Sequence, residues 1–396
     1  MTVTLERTDP RPLTWRQRYQ RLLWDHKRLA TLHSIVGVAI CAALVLTLDV
    51  AYRSAEGPAP PPDHPADTAF SMAMVGDIMF GRHVEEVTAQ HGLAFPLDRV
   101  REHLARADHV TGNLEQAVLT DDPSQYEQID KFIHLSTGPE ALEALAEAGF
   151  SSLNLANNHA MDFGELGLAE TMLSVEEAGM SHTGAGISSI EGAEIDYEDF
   201  GDITVAMLGF SDVYVADFTA QPFRGGVLPA DPEVVGPIIR EAREEADLVV
   251  AHVHWGEEYD WAPTSRQIEL GRTMADEGAD IIIGHHPHVL MPVEHYGDSV
   301  IFYSLGNFVF DQGWTRTRES AIAEYVLAED GTATIELTPV LVREGQPRPL
   351  HGALARYRQS RIFAQLDGWA EGWQREGDTM TLQIDHTHVQ GGLGGE

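Results

Sequence analysis

The sequence predicts an α/β domain that follows one N-terminal transmembrane helix. Three observations lead to this fold class. A charge-free apolar run lies near the N-terminus, strand-like and helix-like segments alternate through the middle of the chain, and polar residues stand at the ends of the predicted strands. This arrangement is typical of α/β sheets, in which the carboxyl ends of the strands meet at one edge and form the ligand site.

A basic N-terminal segment precedes the apolar run. Residues 1–32 carry seven Lys and Arg against three Asp and Glu, whereas residues 29–48 carry no charged side chain. Twenty helical residues span about 30 Å, the thickness of a bilayer core. Under the positive-inside rule, residues 1–28 are expected in the cytoplasm, residues 29–50 in the membrane and the rest outside the cell. Two alternatives are a cleaved signal peptide, disfavoured by the long basic segment, and a buried helix of a soluble protein, disfavoured by the one-sided basic flank.

Composition excludes some partners and some kinds of site. The formal net charge is −36, and Lys27 and Lys131 are the only lysines. A body this acidic repels nucleic acid and anionic membrane surfaces. Acidic, lysine-poor surfaces suit high salt, which screens their self-repulsion, so the composition is halophile-like. Cys41 is the single cysteine, so neither an intrachain disulfide nor a cysteine metal cluster can form.

The remaining chain divides into three parts by composition. Residues 51–68 are rich in proline and predict an extended linker. Residues 69–345 carry the alternating pattern and predict the folded domain. Residues 346–396 form a C-terminal extension with one predicted helix at 353–366.

Within the folded domain the two kinds of segment are distinguished by periodicity and residue type. Strands, rich in β-branched and other apolar residues, are predicted at 70–75, 109–111, 152–155, 203–208, 248–253, 281–283, 300–303, 321–327 and 332–341. Helices, rich in good helix formers, are predicted at 97–107, 139–148, 165–178, 232–245 and 265–277.

Polar side chains with metal-binding chemistry follow five of the predicted strands. They are Asp77, Glu115, Asn158 with His159, His254, and His286 with His288. Carboxylate, amide and imidazole donors meeting at one sheet edge suit Mn²⁺, Fe or Zn²⁺ better than Ca²⁺. Because the donors exceed the needs of one tetrahedral ion, we expect two divalent ions, with Glu115 as the better candidate for a bridging ligand. Each residue alone has an ordinary explanation as a turn or core residue, but their recurrence at successive strand ends favours a metal site.

The stretch 281–288 is the densest of these signals. Gly284 is expected to turn the backbone where the strand ends, ahead of three histidines. A spacing of two should point His286 and His288 to the same side of an extended segment, leaving His285 facing away. His252 shares the strand parity of His254 and is expected behind the ligands.

Six blocks of the sequence resemble the signature of the capsule-synthesis protein CapA family, also called poly-gamma-glutamate biosynthesis proteins. They are 76–82 (GDIMFGR), 112–115 (GNLE), 157–164 (NNHAMDFG), 254–259 (HWGEEY), 284–289 (GHHPHV) and 304–311 (SLGNFVFD). The resemblance covers about residues 70–312. That family is in turn similar to the calcineurin-like metallophosphoesterases.

The resemblance implies a four-layer α/β/β/α sandwich with a dimetal centre. The site residues that it implies are Asp77 and His288 on one ion, Asn158, His254 and His286 on the other, Glu115 as the bridge, His159 as general acid with Asp162 as its orienting partner, and Arg82, Asn113 and Asn307 as substrate contacts. Two positions depart from the phosphoesterase pattern. Met79 stands where a histidine is usual, and Glu115 stands where an aspartate is usual.

Three functions are compatible with these observations. The first is a membrane-anchored, metal-dependent enzyme in the assembly, export or anchoring of an anionic polymer such as poly-gamma-glutamate, alongside other membrane-bound synthesis subunits. The second is an extracytoplasmic phosphodiesterase or phosphatase, and the third is a non-catalytic scaffold of a polymer-export complex. The resemblance favours the first, although an acidic body disfavours unaided capture of a polyanion.

Overall fold

The computed structural model describes residues 12–54, 61, 63–367 and 369–389. The chain divides into an N-terminal unit that ends at Ser54 and a large unit that follows it. The first eleven residues of the predicted cytoplasmic segment, residues 55–60 and 62 of the predicted linker, and the glycine-rich end lie outside the described residues.

The N-terminal unit consists of helices α1 (Trp15–Arg28) and α2 (Ala30–Ser54). Helix α1 begins with a capping box between Thr14 and Gln17. Within α2, the stretch Ala30–Leu48 is long and apolar enough to cross a membrane, and its large apolar side chains are exposed within the unit. A core helix would bury those side chains, so the helix is consistent with the predicted membrane anchor.

The large unit is built from strands and helices in alternation. Its strands are β1 (Thr68–Ile78), β2 (His109–Leu114), β3 (Ala117–Val118), β4 (Ser136–Thr137), β5 (Ser152–Asn154), β6 (Ser181–Thr183), β7 (Ala185–Gly186), β8 (Asp196–Phe200), β9 (Ile203–Ser211), β10 (Gly226–Val227), β11 (Leu248–His254), β12 (Ile281–His285), β13 (Val293–Tyr296), β14 (Ser299–Phe302), β15 (Asn307–Val309), β16 (Glu319–Ala328), β17 (Thr332–Arg343), β18 (Gln346–Pro349), β19 (Gln374–Glu376) and β20 (Thr379–Asp385). Its α-helices are α3 (Arg82–His91), α4 (Arg101–Leu104), α5 (Glu140–Glu147), α6 (Gly164–Glu177), α7 (Ser189–Gly192), α8 (Pro232–Glu245), α9 (Ser265–Asp276) and α10 (Gly352–Leu366), and 3₁₀ turns span Pro123–Gln125 and 387–389.

These strands form two main sheets. The first has the order β19-β20-β17-β16-β1-β2-β5-β6, with β15 beside β1 and β18 beside β17. The second has the order β13-β14-β12-β11-β9-β8. Strands β1, β2, β5 and β6 run parallel, as do β9, β11, β12 and β14, so that two sets of carboxyl ends are available for a site.

Side-chain alternation places the two sheets face to face. On β1, Met72 and Met74 pack into the layer between the sheets, whereas Ala73 and Val75 pack against helices on the outer face. The second sheet alternates in the same way, its outer side chains packing on α8 and α9. Each fully buried side chain of this size contributes about 1.5–3 kcal/mol. The predicted four-layer α/β/β/α fold class is confirmed.

Two sequence predictions differ from the structure in detail. The helix predicted at 97–107 is reduced to α4 and flanking turns. These turns also place Leu97, Val100 and Leu104 in the core, so the apolar spacing that suggested a longer helix is satisfied without one. The described part of the C-terminal extension is built into the first sheet through β18 and β20. Strands β18 and β20 are short, and their apolar side chains are buried because both strands pair with β17.

Candidate metal centre

A close backbone approach places the first candidate ligand. A Cβ atom on Gly76 would lie 1.8 Å from the carbonyl oxygen of Gly306, so glycine is required where β1 passes this segment. The N–H of Asp77 donates to the same carbonyl at 3.0 Å. Asp77 is thereby paired in register with Asn307 of β15 and Asn113 of β2.

The other candidates reach the same place from neighbouring strand ends. They are Glu115 after β2, Asn158 with His159 after β5, His254 at the end of β11, and His286 with His288 after β12. All are buried except Asn158, which is half-buried. The structure therefore brings together the side chains that the sequence placed at separate strand ends.

Their donor atoms form two overlapping groups. The groups are Glu115 with His254 and His286, and Asp77 with Glu115 and His288, and within each the donor atoms lie within 4.8 Å of one another. Nε2 of His254 lies 3.8 Å from Oε1 of Glu115, and Nε2 of His288 lies 3.7 Å from the same atom. Two ligands that each bind an ion at about 2.1 Å lie roughly 3–3.5 Å apart, so these spacings are close to those around one cation.

The half-buried Asn158 joins the first of these groups. Its Oδ1 atom lies 3.0 Å from Nε2 of His254. Carboxylate, amide and imidazole donors therefore stand in the same two sets that the resemblance implied, with Glu115 common to both.

The unsatisfied polar atoms of the site test whether a pair of cations fits it. Among the described residues, neither carboxylate oxygen of Glu115 has a hydrogen-bond partner, and neither has Nδ1 of His286. Leaving such a buried group unsatisfied costs about 1–3 kcal/mol. A bridging carboxylate needs both of its oxygens free of protein donors, so the residues present fit two divalent cations.

Burial and mutual charge shift the pKa values of the cluster in opposite directions. Burial raises the pKa of Glu115 well above its usual value, partly offset by His288. Burial opposes ionisation of Asp77, but contacts with His285 and His288 outweigh it and hold its pKa well below the ordinary value. The carboxylates of Glu115 and Asp77 likewise outweigh burial at His288 and raise its pKa to about 9.

The two imidazoles of the other group stay uncharged. Burial, reinforced by His288, lowers the pKa of His286 to about 3. Burial, reinforced by His286, lowers the pKa of His254 well below its ordinary value. Uncharged imidazoles offer the lone pairs that a metal ion requires.

The backbone around the histidines is strained. His286 has φ +94° and His288 has φ +57°, and Tyr259 and Arg82, at the same edge, also have positive φ. Each such conformation costs about 1–3 kcal/mol in a residue other than glycine and clusters at functional sites. The prediction of an extended segment was therefore wrong, although both imidazoles do reach the site, because left-handed residues flank Pro287.

Two further predictions about this stretch were wrong for one reason. Strand β12 runs on through Gly284 to His285, so the glycine does not turn the backbone. Its role is close packing, because a Cβ atom there would lie 2.3 Å from the carbonyl oxygen of Tyr303. His285 consequently shares the inward face of Ile283, and its Nδ1 lies 3.5 Å from Oδ1 of Asp77.

The predicted pair His159 and Asp162 is in contact and has a third member. Nδ1 of His159 lies 2.7 Å from Oδ2 of Asp162. Lys131 donates to Oδ1 of Asp162 and, at 2.7 Å, to the carbonyl oxygen of Asn158. Burial lowers the pKa of His159, an effect that Asp162 partly offsets.

Sequence reasoning gave Lys131 no role. Its loop position carries no periodic signal, but one feature pointed to it: after Lys27 it is the only lysine in the chain. Lys131 is the single lysine of the folded domain, whose other strongly basic side chains are arginines, and it lies at the candidate centre.

The three predicted substrate contacts fall into two classes. Asn113 and Asn307 are fully buried and their amides are engaged: Asn113 donates to Oδ1 of Asp77 at 2.9 Å, and Oδ1 of Asn307 lies 2.9 Å from Nδ1 of His288. This geometry favours a role in orienting ligands. Arg82 is partly exposed, and its guanidinium is held by both oxygens of Asp311 at 2.8 and 2.7 Å.

Exposed aromatic rings stand beside the site. Tyr259 stacks on Trp314 with centroids 5.6 Å apart and lies 6.2 Å from the ring of His288. The guanidinium of Arg316 lies 5.2 Å above the ring of Trp261. Tyr259, Trp314, Trp261 and Arg316 are called the aromatic rim below, and Tyr259 is the member whose ring contacts the candidate ligand His288.

Comparison with known proteins identifies the family. Residues 71–312 match the family described as bacterial capsule synthesis protein PGA_cap. The chain is 42% identical to the capsule biosynthesis protein CapA of Bacillus anthracis over 333 residues, which cover 83% of this chain and 81% of that protein. It is 40% identical to the PGA biosynthesis protein CapA of Bacillus subtilis (strain 168) over 377 residues, which cover 95% of this chain and 97% of that one.

Among solved structures, the chain is similar to the calcineurin-like phosphoesterase YfkN of Bacillus subtilis. That likeness has a TM-score of 0.39 and 13% identity, and covers 82% of this chain and 96% of the other. The sequence matches rather than this likeness decide membership. The chain belongs to the bacterial capsule synthesis protein PGA_cap family.

Proposed function

We propose that this chain acts in the biosynthesis of an anionic capsular polymer, with a two-metal, hydrolase-type site in a domain held outside the cell by helix α2. The observation that carries the proposal is the pair of buried donor groups that share Glu115. Family membership supports the capsular role, and the name of the Bacillus subtilis relative points to a polymer abbreviated PGA, which we take as poly-gamma-glutamate. The basic segment before α2 supports a cytoplasmic N-terminus. A membrane location would bring the chain together with other membrane-bound synthesis subunits.

In this proposal each part of the site has a separate task. Asp77 and His288 would hold one ion, Asn158, His254 and His286 would hold the other, and Glu115 would contribute to both. Two divalent ions, when bound, polarise a substrate oxygen and acidify a water. Asp162 accepts from Nδ1–H of His159, so Nε2 is the atom that holds or delivers a proton at the leaving group. Lys131 fixes Asp162 and the backbone of Asn158 in place.

The aromatic rim supports a chain-like substrate. Trp314 and Trp261 are exposed by 69% and 61%, and the guanidinium of the exposed Arg316 lies over the ring of Trp261. Flat rings bind planar groups such as amides, and guanidinium groups bind carboxylates. A polymer could lie across this surface while one linkage reaches the centre.

A second candidate function is hydrolysis of a phosphodiester or phosphomonoester. The contact between His159 and Asp162 favours it, because such a pair can protonate an alkoxide leaving group beside two cations. The two functions differ in substrate and not in the site.

Parallel assays of the purified full-length chain separate these functions. With Mn²⁺ or Zn²⁺ supplied, turnover of a γ-glutamyl polymer supports the first and turnover of bis(p-nitrophenyl) phosphate supports the second. His159→Asn should lower whichever turnover is observed by roughly 10²–10⁴-fold with unchanged metal content. Metal binding with turnover of neither substrate would favour the scaffold instead.

The aromatic rim gives a prediction about polymer capture. Trp314→Ala should weaken binding of a γ-glutamyl polymer by about 2- to 10-fold, since one aromatic contact contributes about 0.5–1.5 kcal/mol. Tyr357→Ala, which removes an exposed ring on α10, is the matched control and should bind like the parent. Binding can be followed by isothermal titration calorimetry. Equal polymer affinities in the two variants would show that the aromatic rim does not bind the polymer.

A further inference from the structure

A row of polar side chains crosses the layer between the two sheets and ends at Asp77. From the surface inwards, its members are Glu198 on β8, His109 on β2, Ser152 on β5, Thr111 on β2, His252 on β11 and His285 on β12. All except Glu198 are buried. The layer that the row crosses also holds a large apolar cluster, which includes Met72, Met74 and Val250.

The row is hydrogen-bonded from Glu198 to His285. Its last step is a 3.5 Å approach to Asp77 by Nδ1 of His285, an atom that has no hydrogen-bond partner among the described residues. The contacts along the row are His109 Nδ1 to Glu198 Oε2 at 2.9 Å, His109 Nε2 to Ser152 Oγ at 2.8 Å, Ser152 Oγ to Thr111 Oγ1 at 3.0 Å, Thr111 Oγ1 to His252 Nε2 at 3.0 Å, His252 Nδ1 to His285 Nε2 at 2.9 Å, and His285 Nδ1 to Asp77 Oδ1 at 3.5 Å. It joins both sheets and connects a partly exposed carboxylate to a proposed metal ligand.

The hydroxyl groups give the inner half of the row one donor direction. Ser152 donates to Thr111, so the hydroxyl hydrogen of Thr111 is available to Nε2 of His252. With Nε2 accepting, His252 donates from Nδ1 to Nε2 of His285. His285 is then left with its hydrogen on Nδ1, which faces Asp77. The tautomers of both histidines follow from the hydroxyl of Thr111, which belongs to neither donor group.

The two oxygens of Asp77 face different groups. Oδ1 accepts from Nδ2 of Asn113 at 2.9 Å and faces His285. Oδ2 lies 3.3 Å from Nδ1 of His288 and accepts from the N–H of His286 at 3.3 Å. The row therefore engages the oxygen that points away from the histidine ligands.

We propose that the row is a positioning device: through His252 and His285 it holds Oδ1 of Asp77, so that Oδ2 is presented to the ion shared with His288. Thr111, His252 and His285 are thus positioning residues, and Asp77 is the group through which they act. The inference rests on the proposed metal centre. Groups that orient a metal ligand in this way typically change metal affinity by about 10- to 100-fold when removed.

Affinity measurements on near-isosteric variants of the full-length chain test the row. Thr111→Val removes the donor to His252 and is expected to lower Mn²⁺ or Zn²⁺ affinity, measured by competition with a chelator, by about 10-fold. His285→Phe removes the contact with Asp77 and is expected to have a larger effect, up to about 100-fold. Tyr325→Phe is the matched control, because it removes a buried hydrogen bond of the same layer, to His386 at 2.9 Å, and should leave affinity unchanged.

A second readout does not depend on metal. Nitrogen-15 NMR of labelled histidines in the metal-free chain should show His252 with its hydrogen on Nδ1 in the parent, and a mixture of tautomers in Thr111→Val. A purely structural role would give Thr111→Val the behaviour of Tyr325→Phe, with lower stability and parental metal affinity, and that result would overturn the proposal. A parent chain that binds neither ion would instead overturn the metal centre itself, so the two failures are distinct.

Discussion

Glu115→Gln is expected to reduce the metal content of the purified chain from about two ions to at most about one. Glu115 is the residue common to both donor groups, and its two oxygens have no hydrogen-bond partner among the residues that the structure describes. A neutral amide keeps the size of the side chain but removes the negative charge that would hold two cations close together. Both ions should therefore bind more weakly, as elemental analysis after gel filtration would show.

The same substitution weakens metal binding but should not destabilise the metal-free protein. Burial of Glu115 raises the pKa of its carboxyl, so above the ordinary pKa the folded chain must either keep a proton or bury a charge. That pKa shift destabilises the fold as pH rises above the value of the unfolded chain. Without metal, the free energy of unfolding of Glu115→Gln should therefore equal that of the parent or exceed it by up to about 2 kcal/mol.

Glu258→Gln is the control for both measurements. Glu258 is an exposed carboxylate near enough to influence the pKa of Glu115, but it belongs to neither donor group. Its variant should keep full metal content and parental stability. Full occupancy in Glu115→Gln, or equal losses in the two variants, would show that Glu115 does not bridge the ions.

Lys131→Met is expected to have the largest effect on stability, lowering the free energy of unfolding by about 3 kcal/mol. Asp162 is fully buried, and Lys131, with a side chain 16% exposed, is its cationic partner. Removing the ammonium leaves a buried carboxylate whose remaining contacts, among the residues that the structure describes, are His159 and the N–H of Leu135. Urea unfolding of the metal-free chain measures the loss.

Three further variants show whether the loss comes from the stranded charge. Lys131→Arg keeps the cation and should recover most of the stability. Adding Asp162→Asn to Lys131→Met should also recover part of it, because the uncompensated carboxylate is then gone. Arg224→Met breaks the more exposed pair with Asp217 and should cost less than about 1 kcal/mol. If Lys131→Met costs as little as Arg224→Met, the pair of Lys131 with Asp162 contributes no more to stability than an exposed ion pair.

The candidate ligands were predictable from sequence because two local signals coincide at each of them. A run of apolar residues predicts a strand, and the polar residue that follows the strand lies at the edge of the sheet. This reasoning found Asp77, Glu115 and His254 without knowledge of which strands are neighbours. It needed only that parallel strands end on the same side.

Residues whose role depends on long-range packing could not be found in this way. Lys131 lies in a loop, and its partners Asn158 and Asp162 are 27 and 31 residues away in the chain. His285 was misplaced because its orientation depends on where β12 ends, and strand ends are the least certain part of a sequence-based assignment. The row from His109 to His285 joins four strands of two sheets, a neighbourhood that only the folded chain reveals.

Elemental analysis of the purified full-length chain tests the dimetal centre most directly. The chain would be loaded with Mn²⁺ or Zn²⁺, separated from free metal by gel filtration and analysed for metal and protein. The proposed dimetal centre should retain about two ions per chain. A chain that remains folded and retains none would contradict it.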